Sequence, residues 1–185
     1  FAGPLYMGVE SNLANGSNGL RLFRTADGLT WTQANQAGFG NTNNNHPGAL
    51  AIFQGFLYLA TRNDTAGGQL WRSSDGQQWS QVIGNGFGDL NNYKIESLAL
   101  FDNALYAVAD NGETGIEVWR TQDGIQWQQV NVDGFGNLTN YWTLWSNATT
   151  TFHDALYIGV TNYATGATLW RSNPERGVYL PLVKR

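Results

Sequence analysis

The chain has 185 residues, enough for a domain with a substantial core, and its 14% aromatic and 13% charged residues exclude a disordered polymer. A formal net charge of −4 and an acidic pI weigh against a nucleic-acid partner, and no apolar run reaches the roughly 20 residues that a bilayer-spanning helix needs. The absence of cysteine removes disulfides and thiolate chemistry, and two histidines, His46 and His153, are too few for a histidine-rich metal centre.

From the N-terminus onward, four anchors return in the same order about every 50 residues. A Leu-Tyr pair stands at Leu5-Tyr6, Leu57-Tyr58, Leu105-Tyr106 and Leu156-Tyr157. An aromatic-Arg pair follows at Phe23-Arg24, Trp71-Arg72, Trp119-Arg120 and Trp170-Arg171. Thr/Ser-x-Asp-Gly-x-x-Trp then occupies 25–31, 73–79 and 121–127, and Gly-Phe-Gly occupies 38–40, 86–88 and 134–136. The units run approximately over 1–48, 49–96, 97–144 and 145–185.

In the third unit the apolar runs predict strands over 97–101, 105–109, 117–121 and 127–132. Asp102-Asn103, residues 111–115 and Asp123-Gly124 separate them with turn-forming chemistry. Four antiparallel strands in about 50 residues make a propeller blade. The predicted fold is therefore all-β: a β-propeller of four-stranded antiparallel blades, about four in this chain, as a single domain or part of one. Leu156 to Val160 is apolar on both faces, as expected for blades packed face to face, and Gly8, Ala60 and Gly159 are places where blades can approach closely. Phe1-Ala2-Gly3 aligns with residues 53–55, so the first blade lacks most of its innermost strand; residues 178–183 supply a fourth strand to the last blade, with Pro181 suited to an edge. Such an arc exposes apolar blade faces and predicts self-association or further upstream blades.

The invariant anchors read as frame. Asp27, Asp75 and Asp123 each precede a glycine in a tight turn, where a carboxylate can accept backbone N–H groups, and Trp31, Trp79 and Trp127 fold back onto the blade. This element resembles the Asp-box of sialidases and related propellers, shortened by one residue, and in the fourth unit Ser172-Asn173-Pro174 replaces it. The whole pattern, Leu-Tyr-x-Gly, Trp-Arg-Ser-x-Asp-Gly-x-x-Trp, Gly-Phe-Gly, is similar over nearly the full chain to secreted bacterial β-propellers of Asp-box-like (sialidase- or BNR-like) repeats. The resemblance implies a propeller, structural turns, and an extracellular or cell-surface setting. Sialidases hold their substrate's carboxylate with an arginine triad, but Arg24, Arg72, Arg120 and Arg171 recur in every unit and read as structural pairings with a nearby turn carboxylate or carbonyl.

Positions that break the repeat are the functional candidates. Glu10, Arg62, Asp110 and Thr161 share one repeat position yet differ in charge. A short insertion before the last unit brings Tyr141, Trp142 and Trp145, and the following loop carries Tyr163. Aromatic rings of this kind suit sugar faces or partner side chains. Asn41, Asp89 and Asn137 in the linkers offer oxygen donors for a structural calcium, although Asn-rich turns generally satisfy their own backbone, and no cofactor is expected. Asn15, Asn63, Asn137 and Asn147 open N-x-S/T triplets. The reading is a non-catalytic secreted or cell-surface propeller that binds carbohydrate or protein, or serves as a scaffold. The alternative is a sialidase-like glycoside hydrolase, with its carboxylates drawn from Glu96, Asp110 and Glu113.

Overall fold

The computed structural model describes residues 3–11, 18–143, 149–162, 164–173 and 178–184. Its first blade is a three-stranded sheet of β1 (Leu5–Val9), β2 (Arg21–Thr25) and β3 (Thr32–Gln33). The second blade contains β4 (His46–Phe53), β5 (Phe56–Arg62), β6 (Leu70–Ser73) and β7 (Ser80–Ile83). The third contains β8 (Asn92–Phe101), β9 (Ala104–Asn111), β10 (Glu117–Thr121) and β11 (Gln128–Gln129). In the fourth, β12 (Trp142–Thr143) and β13 (Thr149–Phe152) share the inner edge of β14 (Ala155–Asn162), followed by β15 (Gly166–Asn173) and β16 (Val178–Lys184). Within each blade the pairings are antiparallel meanders, as the repeat predicts, and a single antiparallel β5–β8 bridge, Arg62 to Lys94, joins the second blade to the third. Among the described residues no inner strand pairs with β1, and β16 supplies the outer strand of the last blade, with Pro181 opposite Trp170.

Two strand lengths differ from the sequence reading. The inner strand of the third blade begins at Asn92, well before residue 97, because two β-bulges let Asn92 to Glu96 continue the ladder with β9. The outer strand shrinks to Gln128–Gln129: beyond it the Val130 N–H still bonds the Val118 carbonyl, but the Asn131 side chain takes over as acceptor for the Val118 N–H, which ends the backbone ladder.

Every position of β9 is buried, because the neighbouring blades cover both of its faces. Three cores lie at successive blade junctions. At the first, Leu20, Leu22 and Ala34 of the first blade meet Leu59 of the second, with Phe39 and Trp79 packed against them. At the next, Phe53, Tyr58, Ala60 and Leu70 meet Ile95, Leu98, Leu105 and Ala107. At the last, Tyr106, Val108 and Val118 meet Leu156, Ile158, Val160 and Trp170. The close approach expected at Gly8 is present: a Cβ there would come within 2.7 Å of the Pro47 side chain. Gly48 was not singled out, yet a side chain there would collide with the carbonyl of Ile95 on β8.

A linker phenylalanine locks each junction. Phe39 stacks on Trp71 with centroids 4.4 Å apart and planes at 9°, Phe87 on Trp119 at 4.6 Å and 7°, and Phe135 on Trp170 at 4.4 Å and 16°. Phe39 and Phe87 also turn an edge to Trp79 and Trp127, at 5.6 and 5.5 Å. The Trp79 indole N–H then crosses to the first blade and donates to the Ala34 carbonyl at 2.9 Å. To reach these stacks the three phenylalanines adopt left-handed backbone, with φ of 55°, 62° and 55°. That conformation costs about 1–2 kcal/mol for an L-residue. Burying the ring returns about 2 kcal/mol, and aromatic pairing adds about 1 kcal/mol.

Thr25, Ser73 and Thr121 close the Asp-Gly turns at the other end of the blades. Asp27 Oδ1 accepts the N–H groups of Leu29 and Thr30, both at 2.8 Å, and the Thr25 hydroxyl at 2.9 Å. Asp75 and Asp123 repeat this pattern. These donors lower all three carboxyl pKa values; that of Asp27 falls to about 2, chiefly through the Thr30 N–H. In the fourth blade the sequence carries Ser172-Asn173-Pro174 in place of the Asp-Gly motif, and Ser172 Oγ accepts the N–H of Leu156. Two of the repeat arginines have aromatic partners: Arg72 lies 4.6 Å from the Phe56 ring centroid, and Arg120 Nε donates to the Tyr106 hydroxyl at 3.1 Å.

The strained backbone at the linker yields a specific expectation. Phe87→Ala should lower stability by about 2–3 kcal/mol, and Phe87→Gly should be no worse, reversing the usual order because glycine is at ease at φ 62°. Chemical denaturation of both variants measures this; a glycine variant less stable than the alanine one would contradict the assignment of strain.

Candidate ligand-binding site

An asparagine relay fixes the blade end that carries the linkers. In the second, third and fourth blades the loop between the second and third strands is tied by an asparagine whose Oδ1 caps it. Asn63 accepts the N–H groups of Thr65 and Ala66, Asn111 those of Glu113 and Thr114, and Asn162 those of Ala164 and Thr165, all at 2.8–3.0 Å. Their amide N–H groups donate onward, Asn63 to Asn44 Oδ1 at 2.8 Å, Asn111 to Asn92 Oδ1 at 3.1 Å, and Asn162 to Asn140 Oδ1 at 2.9 Å. Asn44, Asn92 and Asn140 in turn donate to the carbonyls of Gly38, Gly86 and Gly134, each at 2.8 Å. Loop and linker are thus held as one body. Asn63 is fully buried in this relay and is not an accessible glycan acceptor.

Asn41, Asp89 and Asn137 close their own turns, their Oδ1 atoms accepting the N–H groups of Asn43, Asn91 and Thr139 at 3.0, 2.9 and 3.1 Å. Asp89 also accepts from Asn111 at 2.9 Å. Among the described residues, no group of three or more His, Asp or Glu side chains is placed to hold a metal ion.

On this frame stand the residues that vary between blades. Glu10, Arg62, Asp110 and Thr161 lie at or just beyond the ends of the second strands. Across the ladder, His46 faces Arg62, Lys94 faces Asp110, and Trp142 faces Thr161. The charged residues form a continuous seam across three blades. His46 Nε2 lies 3.6 Å from Glu10 Oε2. Arg62 Nε donates to Asp64 at 2.8 Å, and the Arg62 guanidinium sits 5.4 Å from the Tyr93 ring centroid. A β5–β8 bridge sets Arg62 beside Lys94, and Lys94 forms an ion pair with Glu96, their side chains 12% and 9% exposed. Asp110 is buried beside this pair. Tyr141, half-buried, immediately precedes β12, while Trp145 and Tyr163 lie outside the described residues.

The structure thus brings Glu10, Arg62 and Asp110 into one seam and adds His46, Tyr93 and Lys94, which sequence reasoning missed. The signal was available. His46, Lys94 and Trp142 each stand two residues after an anchor asparagine, Asn44, Asn92 or Asn140, and the residue type changes every time. Glu113 is separated from the other acids nominated for hydrolysis: it is exposed on the loop, whereas Glu96 is buried against Lys94.

No family model and no curated protein sequence matches the chain. Solved structures do. A Bombyx mori GH32 beta-fructofuranosidase mutant in complex with sucrose superposes with a TM-score of 0.61 at 12% identity, covering 100% of this chain and 47% of that one. Trypanosoma rangeli sialidase in complex with sialic acid gives 0.59 at 15% identity, with 95% and 28% covered. A luciferin-regenerating enzyme gives 0.63 at 12% identity, with 100% and 59% covered. The chain is an all-β propeller array. It spans less than two thirds of the length of each of these proteins, and at these identities the likeness is one of fold.

Glu117 supplies a test of the frame. Its Oε2 accepts from Asn92 Nδ2 at 2.7 Å and from the Trp119 indole at 2.9 Å, and in the second blade Gln69 accepts the same pair from Asn44 and Trp71. In the fourth blade Thr168 occupies this position and the Trp170 indole N–H has no partner. Burial raises the Glu117 pKa, against the two donated bonds, and the nearby Asp133 and Asp89 add to the rise. A carboxyl group with a raised folded pKa makes the folded state bind more protons, so stability falls as pH rises from the unfolded value, roughly 4.3, through the folded one. Glu117→Gln should remove that loss, melting higher than the parent at pH 7 and no higher at pH 4. Melting curves across this range decide it, and equal shifts at both pH values would refute the charged-group account.

Proposed function

We propose that the chain is a non-catalytic carbohydrate-binding propeller module that works outside the cell or at its surface. The observation that carries this reading is the division of labour between repeated and unrepeated residues. The repeated ones hold linker and loop together, and the unrepeated Glu10, His46, Arg62, Tyr93, Lys94 and Asp110 gather at that fixed end. Hydrogen-bonding charges beside an aromatic ring suit a hydroxyl-rich ligand with one apolar face. Sucrose and sialic acid bound to proteins of this fold support a sugar as the ligand class. The Lys94 ion pair engages the buried Glu96 carboxylate, which supports binding over hydrolysis. The Asp-Gly turns support the Asp-box resemblance, and with it the secreted setting. The reading requires no cofactor; calcium at Asn41, Asp89 and Asn137 is the rival account of the linker oxygens.

Glycan-array screening followed by calorimetry tests the proposal. Arg62→Ala and Tyr93→Ala should each weaken sugar binding at least about tenfold, roughly the 1.4 kcal/mol of one good polar or stacking contact. Leu138→Ser, at an exposed linker position, should leave binding unchanged. Turnover of aryl-glycosides abolished by Glu96→Gln would replace this reading with a glycoside hydrolase. An array without hits would leave a protein scaffold in its place.

A further inference from the structure

The chain carries the two halves of one interface, both uncovered. At the leading face of the first blade, Leu5, Met7 and Val9 are 61%, 52% and 42% exposed. The same repeat positions in the second blade, Leu57, Leu59 and Thr61, are 4%, 0% and 0% exposed, and in the fourth Leu156, Ile158 and Val160 are all at 0%. What covers these positions inside the chain is the trailing face of the preceding blade: Leu22 packs on Leu59, and Val118 on Ile158. That trailing face is itself bare on the fourth blade. Phe152 is 62% exposed where Phe53 is 4%, and Leu169 is 37% exposed where Leu22, Leu70 and Val118 are each at 0%. Among the described residues β1 pairs with β2 alone, whereas β5, β9 and β14 are paired along both edges.

We infer that these faces dock head to tail between two copies of this chain, the Leu5–Met7–Val9 face of one copy receiving the Phe152–Leu169 face of the other. The argument is continuity with an interface formed three times within the molecule. Each internal junction joins a leading face to a trailing face, and the exposed pair occupies the matching repeat positions. A leading face matched to another leading face would reproduce none of these contacts. The contact is heterologous, and two such contacts related by a two-fold axis close a dimer.

Light scattering on the 185-residue chain, with two variants, tests this. Met7→Asp disables the leading face and Phe152→Asp the trailing face, and both sites are exposed enough that circular dichroism and melting of each variant should match the parent. The wild type should run at about twice 20.4 kDa at micromolar concentration and dissociate on dilution. Each variant alone should show a dissociation constant raised at least roughly tenfold. An equimolar mixture should recover a dimer, since the intact leading face of one variant meets the intact trailing face of the other. A single 20.4 kDa species at every concentration would overturn the inference and assign the faces to another occupant, such as further blades in a longer chain. Dimerisation by either variant alone at the wild-type affinity would overturn it too, because a contact between like faces would then be responsible.

Discussion

A linker phenylalanine lying flat on the tryptophan of the blade it enters is the contact on which the arrangement depends. It fixes three things at once. The ring closes one face of the blade, its left-handed backbone turns the chain from one outer strand to the next inner strand, and the glycine carbonyl beside it receives the anchor asparagine. Remove the ring and the turn has no reason to remain strained; relax the turn and the carbonyl leaves the asparagine. The apolar cores between blades bury the largest side chains of the array, and the stack with its relay adds directional contacts that fix linker and loop against them.

The same lock leaves the two ends of the array with different polar capacity. The Asp-Gly turns at the opposite end satisfy their own carboxylates, so little polar capacity is left over there. At the linker end the relay takes up the anchor asparagines Asn44, Asn92 and Asn140, while the residues two positions further on, His46, Lys94 and Trp142, differ from blade to blade. Lys94, Glu96 and Asp110 are held by bulged strands between packed blades, so their positions are set before any ligand arrives.

The repeat made the blades legible in the sequence because every anchor has a local physical job: Leu-Tyr on the central strand, aromatic-Arg on the next, Asp-Gly in the turn, Gly-Phe-Gly in the linker. The missing inner strand of the first blade and the added outer strand of the last were legible for the same reason, as gaps in a known period. Less of the seam was. Glu10, Arg62 and Asp110 stood out because their charges clash within one repeat position. His46 and Lys94 did not, because bulges at Pro47/Leu50 in β4 and at Asn92/Lys94 and Ile95/Ser97 in β8 carry these inner strands farther than period-two alternation would predict. Arg72 and Arg120 have aromatic neighbours that the sequence did not indicate: the threonine or serine hydroxyl and backbone N–H groups already fill the turn carboxylate.

Hydrogen exchange at the tryptophan indoles, followed by NMR, tests the central role of the linker lock most directly. The Trp71, Trp79 and Trp119 indole N–H groups donate within the lock, to Gln69, the Ala34 carbonyl and Glu117. The account predicts that these three exchange only with global unfolding, slowing in step with overall stability as denaturant is withdrawn. Exchange of Trp71 and Trp119 at the rate of a free indole under conditions where the strands remain protected would contradict it.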